Sequence, residues 1–287
     1  KQEVRNKLIG FGSHIQIGAT FNNQTYETMP IMVDASMLNV ISAAEGIKHV
    51  QRFATQPGII NTNGNFQGVV LKGVDGDFDW NFFKSNLRDG EVLSVTDSTV
   101  NKNVIISQKL SDLLKLKVGD KFLSYFIIDG KVRVRPLVVQ GVYSTGFGDY
   151  DKLFVLCDIK MIQRLNSWEE GQCSGVEVLI DDYDNLDAAY ERVFRIVGNR
   201  FDEAGSSYVL RTIRQINPQI FSWLDLLDIN VVIILILMSL VAGFTMISGL
   251  LILILERTNM IGVLKALGAS NWSIRKIFLY QSLFLVG

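Results

Sequence analysis

The chain has 287 residues, enough for one large or two modest cores, and its 28 Lys and Arg against 29 Asp and Glu give a formal net charge of −1. That balance leaves no basic footprint for nucleic acid, and the 2 cysteines are too few for a disulfide framework. The mean hydropathy of +0.24 is high for a chain with 20% charged residues, and the apolar excess is concentrated towards the C-terminal end.

Residues 1–224 alternate short strands with fewer helices. Period-2 or β-branched patterns predict strands at 14–20, 31–34, 67–74, 122–128, 131–143, 153–157 and 175–180. Asp129-Gly130, between two of these runs, predicts a tight hairpin. Helices are expected at 37–46, 80–87, 107–116 and 158–166, with Ser107 as the cap of the third. A further helix places Leu186, Ala189, Tyr190, Val193, Phe194 and Val197 on one face. Strands and helices mix without regular βαβ repetition, so the expected class is α+β.

Catalytic and metal chemistry find little support. His14 and His49 have no Cys or carboxylate at metal-ligand spacing, and both read as ordinary strand or surface residues. The run 75-DGDFDW-80 begins like a calcium loop, but Trp80 takes the place of the required Gly and Asn86 that of the bidentate Glu, so it reads as a polar turn. Neither a P-loop nor a nucleophile elbow is present. Glycine-rich 141–151 carries Tyr143, Phe147 and Tyr150 and reads as a strand-to-loop connection rather than a phosphate cradle. No catalytic, cofactor or metal residues are therefore expected. Cys157 and Cys173 are compatible with one bridge in an oxidising compartment, and two half-buried thiols is the favoured alternative.

No charged residue occurs from Ile229 to Leu255. A helix needs roughly 20 apolar residues to cross a hydrocarbon core of ~30 Å, so 229–255 is expected to span a membrane, with surplus length for tilt or an extension beyond it. Trp223 just before it suits an interface. Ser239, Ala242, Gly243, Met246 and Gly249 are candidates for facing cargo or packing against another helix. Asp225 and Asp228 precede the span, whereas Arg257, Lys265, Arg275 and Lys276 follow it. Lys and Arg stay on the cytoplasmic side, which places residues 1–224 outside the cytoplasm and 256–272 inside. The chain lacks an initiator Met and stops at Gly287 within apolar sequence, as expected of a piece of a longer protein.

After the span, Thr258–Leu267 reads as a short surface helix that Gly268 ends in the left-handed region. Ser270 then caps a second apolar helix, so 272–287 reads as the start of another span. The string 256-ERTNMIGVLKALGASNWSIRKIF-278 closely resembles the signature of the FtsX/MacB superfamily of ABC transporter permeases, at Glu256, Arg257, Ile261, Gly262, Leu264, Lys265, Ala266, Leu267, Gly268 and Ala269. Met260 departs from it, standing where the pattern has an acid. Within that superfamily, 1-KQEVRNKLIGFGSHIQIGA-19, read as a helix followed by a strand, together with 104–122 and 138–165, is most similar to the lipoprotein-releasing permeases (LolC/LolE).

The resemblance implies a periplasmic α+β domain of MacB-like type joined to transmembrane helices. Its core subdomain would comprise 1–75 and 170–224, its inserted subdomain 76–169, and its coupling helix 256–270. It further implies a non-catalytic inner-membrane subunit that binds no cofactor itself and works with a cytoplasmic ATPase dimer holding ATP and Mg²⁺. The ATPase would dock on Arg257, Met260, Ile261, Gly262, Leu264, Lys265, Leu267 and Gly268. The other implied partners are membrane lipid, a second permease copy or paralogue, lipoprotein cargo and a periplasmic lipoprotein carrier. The carrier-recruiting permease has a longer hook around 122–137, whereas these strands close tightly, which fits the partner permease or a carrier contact built differently. Two other expectations stand beside lipoprotein release: a mechanotransmitting permease for efflux or control of cell-wall hydrolases, and a membrane-anchored sensor without an ATPase.

Overall fold

The computed structural model describes residues 2–19, 26–27, 29–62, 64–95, 100–198, 200 and 207–286. Thr20, at the end of a predicted strand, and Gly287, at the end of the second apolar helix, lie outside the described residues. The chain divides into two compact units, Lys1–Pro218 and Gln219–Gly287.

The first unit runs α1 (Gln2–Gly12), β1 (Ile15–Ala19), β2 (Ile31–Met32), α2 (Ala35–Ser42), β3 (Ile47–Thr62), β4 (Asn65–Val74), α3 (Asn81–Ser85), β5 (Leu87–Gly90), β6 (Asn103–Ser107), α4 (Gln108–Leu114), β7 (Lys121–Ile128), β8 (Lys131–Tyr143), α5 (Gly148–Leu153), β9 (Phe154–Asp158), α6 (Ile159–Asn166), β10 (Gln172–Cys173), β11 (Gly175–Ile180), a 3-10 turn at Tyr183–Asn185, α7 (Leu186–Val197), β12 (Tyr208–Thr212) and α8 (Ile213–Ile216). The second contains most of α9 (Pro218–Glu256), then α10 (Thr258–Ala266) and α11 (Asn271–Val286).

Strands and helices without βαβ periodicity give the α+β class expected. One sheet organises the unit. Antiparallel β12, β1 and β11 lead into β3. Beyond that point the pairings close a ring, β3–β4–β9–β6–β8–β7 and back to β3. Alternation on β7 sets the inside of the ring: Phe122, Ser124, Phe126 and Ile128 are buried, while Leu123 and Ile127 are exposed. The two exterior subdomains expected for 1–75 with 170–224 and for 76–169 share this sheet, because β3 and β4 supply two of the ring's strands and β6–β9 the other four. No break in the pairing marks position 75/76.

Each predicted strand and helix has a counterpart, usually within two or three residues; the predicted helix at 37–46 instead starts at Ala35, capped by Asp34, and ends at Ser42. Ser107 caps α4, its Oγ accepting from the Leu110 N–H at 3.1 Å. The β7–β8 hairpin closes on Asp129 and Gly130 at φ 51° and 70°, with Ile128 opposite Lys131. Positive φ at both turn residues matches the right-handed twist of the flanking strands. The connection at 141–151 differs from the loop expected: β8 ends at Tyr143, and α5 then carries Tyr150 into the aromatic core.

The longest strand escaped prediction. Pro57 and Gly58 interrupt 47-IKHVQRFATQPGIINT-62 and read as breakers. On one side β3 pairs with β11 only as far as Phe53 and with β7 only from Ile59. The Thr55 N–H, two residues earlier and pointing the same way, donates to Ser174 Oγ at 2.9 Å instead of a strand. Pro57 therefore sits where no ladder donor is required.

An aromatic contact and a polar one fix α1 to this sheet. Phe11, near its C-terminus, packs against Phe82, Phe83, Tyr143, Tyr150 and Phe154 at ring separations of 5.2–6.1 Å. Its carbonyl accepts from Lys72 Nζ on β4. Lys72 in turn pairs with Glu177 on β11 at 2.6 Å, both side chains 3% exposed or less. Gln51 Nε2 donates to the other Glu177 oxygen at 2.8 Å, and Gln16 Nε2 lies 3.4 Å from the first.

His14 is buried between these elements, as an ordinary strand-end residue. Its Nδ1 accepts from the Ile180 N–H at 3.3 Å, which requires that nitrogen unprotonated. Burial, then the charges of Arg5 and Lys48, push its pKa down to about 4. The unfolded chain, with an ordinary imidazole near 6.5, binds the proton more readily. His14 thus contributes stability above about pH 6.5 that is lost as pH falls towards 4, by at most about 3 kcal/mol. Urea midpoints measured across pH 4–7 are expected to fall on acidification, and His14→Gln, which keeps an acceptor, is expected to flatten that slope.

Candidate functional site

Helix α9 is 39 residues long, or roughly 58 Å at ~1.5 Å per residue. That exceeds a hydrocarbon core of ~30 Å, and the helix starts eleven residues before the first residue of the predicted span. Among the described residues it is the one helix long and apolar enough to cross a membrane. Trp223 and the side chains from Ile229 to Gly249 are exposed. Ser239, Ala242, Gly243, Met246 and Gly249 fall within about a third of the helix circumference at ~100° per residue, and nothing lies within 4 Å of a Cβ built on Gly243 or Gly249. Thr245 Oγ1 donates back to the Val241 and Ala242 carbonyls, so this hydroxyl is satisfied within the helix.

The helix breaks at Arg257 and resumes as α10. Thr258 Oγ1 donates to the Leu255 carbonyl at 2.7 Å, and the Arg257 carbonyl accepts from Ile261 N–H at 3.1 Å. The far end of α10 is closed by two backbone hydrogen bonds. Gly268, at φ 89°, donates to the Lys265 carbonyl at 3.0 Å, and Ala269 donates to Leu264 at 3.0 Å. This pair of bonds is the Schellman arrangement, which Gly at that position permits without Cβ strain. Ser270 then caps α11, its Oγ accepting from Ser273 N–H at 3.2 Å.

The predicted docking residues are thereby gathered on one short helix and its cap. Ile261 and Leu264 are half-buried, whereas Arg257, Met260, Gly262, Lys265, Leu267 and Gly268 are exposed. Met260, Val263 and Leu267 form a second apolar edge at i, i+3 and i+7, with Leu267 80% exposed. Val263 was not singled out from the sequence, although its spacing from Met260 could have marked it. A Cβ on Gly262 would meet nothing within 4 Å, so the backbone there is open to close approach. Trp272 and Lys276 pair at the start of α11, with Nζ 4.2 Å from the ring.

Elsewhere, among the described residues, no three His, Cys, Asp or Glu side chains converge as a metal site. The 75–80 run is a turn: Asp75 pairs with Arg52 at 2.5 Å, its carbonyl accepts from Phe78 N–H, and Phe78 is buried. His49 Nε2 lies 2.8 Å from the Asp77 carbonyl. Cys157 and Cys173 are free and fully buried rather than bridged or half-buried. Burial pushes the Cys157 thiol pKa well up and that of Cys173 up to about 12.

An α+β unit is thus continued by a helix long and apolar enough to cross a membrane, a short exposed helix and a further apolar helix. Residues 232–287 match the family model described as FtsX-like permease C-terminal. The lipoprotein-releasing system transmembrane protein LolC of Neisseria meningitidis serogroup B is 22% identical over 99% of this chain and 66% of its own length. LolC of Xylella fastidiosa strain 9a5c is 19% identical over 98% of this chain and 65% of its own. The C-terminal part of the chain is thus similar to FtsX-like permeases and the chain as a whole to LolC, and it spans about two thirds of the length of these relatives. Two solved structures are also similar. The extracellular domain of the noncanonic ABC-type transporter YknZ from Gram-positive bacteria has a TM-score of 0.46 and 17% identity, covering 69% of this chain and 99% of that one. The periplasmic region of MacB from Actinobacillus actinomycetemcomitans has a TM-score of 0.45 and 16% identity, covering 77% and 98%.

Proposed function

We propose that this chain belongs to the permease subunit of an ABC transporter in the bacterial inner membrane, in which ATP hydrolysis by a partner subunit releases lipoproteins toward a periplasmic carrier. The observation that carries this reading is α10, an exposed helix with an open Gly262 backbone, held between two apolar helices by the break at Arg257 and the Gly268 cap. A cytoplasmic ATPase dimer docks on Arg257–Gly268 and holds ATP and Mg²⁺. Residues 1–224 are periplasmic and 256–272 cytoplasmic, following the charge asymmetry around α9. A second permease copy or paralogue completes the transporter.

The lipidic cargo is supported by two features. The small-residue face of α9 leaves room beside Gly243 and Gly249. On the exterior unit, Ile59, Phe66, Leu123, Ile127, Val132 and Val134 share one exposed sheet face, with Lys121 at its edge. Each buried CH₂ is worth ~0.8 kcal/mol, so lifting acyl chains from a bilayer requires coupling to an energy source.

A photoreactive residue at Gly243 or Met246 is expected to crosslink endogenous lipoproteins. Absence of any such adduct would favour instead a mechanotransmitting permease, for which the unbroken length of α9 is suited. Gly262→Glu and Lys265→Glu are expected to lower ATPase co-purification or turnover by tenfold or more, about 1.4 kcal/mol. Unchanged ATPase behaviour in both would leave a sensor without an ATPase as the better account.

A further inference from the structure

The chain enters and leaves the exterior sheet at one end of a strand pair. β1 and β12 are antiparallel with Ile15 opposite Thr212, so the end of α1 and the start of α8 lie side by side. The Ile213 N–H, first in α8, donates to the His14 carbonyl at 2.9 Å. Helix α8 then leads directly into α9 through Asn217.

Both helices converge on one aromatic ring from the turn after β11. The Arg5 guanidinium of α1 lies 4.0 Å from the centroid of Tyr183, and the Arg214 guanidinium of α8 lies 5.2 Å from it. Arg214 Nε also donates to the Tyr183 hydroxyl at 2.9 Å. Arg5 Nε is buried with no hydrogen-bond partner. A buried N–H is normally paired, and in place of a hydrogen bond at Nε this guanidinium has the Tyr183 ring beside it. Two like charges thus lie against one ring, which attracts each of them, and Arg214 Nη1 also faces Asp187 Oδ2 at 4.0 Å.

We propose that Tyr183 is a positioning residue that ties α1 to α8, so that displacement of the chain entering α9 is carried through Arg214, Tyr183 and Arg5 into α1. This coupling deepens the transport reading, on which its use by an ATPase rests; the tie itself does not depend on that reading.

Spin labels at Asn6→Cys in α1 and Gln219→Cys at the start of α9, in the full-length protein in lipid nanodiscs, test it. Cys157 and Cys173 are fully buried and stay unlabelled, and any cysteine outside these 287 residues is replaced by serine. Tyr183→Phe keeps the ring and is expected to retain the parent distance distribution. Tyr183→Leu and Arg5→Met, which keep bulk but lose the cation–π contact, are expected to raise the population of displaced conformers about fivefold to thirtyfold. If both leave the distribution as in the parent, the proposal is wrong. Arg5→Met provides the answer if Tyr183→Leu does not fold. A displaced distribution in a preparation without any associated ATPase supports the tie and counts against the transport reading alone.

Discussion

Lys72→Met is expected to destabilise the exterior unit by about 3–5 kcal/mol, because it strands the Glu177 carboxylate in the sheet with only two glutamine amides beside it. The same change removes the donor to the Phe11 carbonyl at the end of α1. Glu177→Leu alone strands the ammonium and is expected to cost a similar amount. The double variant Lys72→Met with Glu177→Leu removes both charges. It is expected to recover most of the loss, since apolar replacements of a buried pair are often neutral or better. Urea unfolding of the four proteins completes the cycle. Additive losses in the double variant would show that the two charges do not act as a pair.

Phe11→Ala is expected to cost about 3–5 kcal/mol, the range for removing a buried phenylalanine without collapse of the site. Five rings surround Phe11, contributed by α3, β8, α5 and the start of β9, and these elements cannot close together around the void. Phe11→Leu is expected to recover about half. Thermal unfolding measures both. A loss below about 1 kcal/mol for the alanine variant would mean that α1 is held by Lys72 and Tyr183 alone.

What the sequence disclosed follows from the range over which each cause acts. The hairpin at Asp129-Gly130, the Ser107 cap, the Gly268 break and the apolar run of α9 are local: turn chemistry, a side-chain oxygen, a left-handed residue and a charge-free length. Each was legible. The partners of Lys72 and Glu177 lie 105 positions apart in the chain, and nothing local announces that each charge is the other's counterion. A lysine and a glutamate each flanked by apolar strand residues was the available hint. β3 was hidden because Pro57 is read as a breaker unless the gap between its two partners on one side is known. The ring of strands depends on pairings with no sequence mark at all. In α10, the resemblance located the helix, but the exposed edge of Met260, Val263 and Leu267 needed the helix's orientation within its own unit.

The unbroken α9 also imposes a rule of phase. Each residue advances a helix by ~100° and ~1.5 Å, so one residue inserted after Asp228 would turn Ser239, Gly243 and Gly249 by ~100° around the axis relative to Pro218. Seven inserted residues would bring that face back to within ~20° while lengthening the rod by roughly 10 Å. Changes of length in this segment are therefore read as rotations first. Natural variation there is expected to come in steps of three, four or seven residues, or not at all.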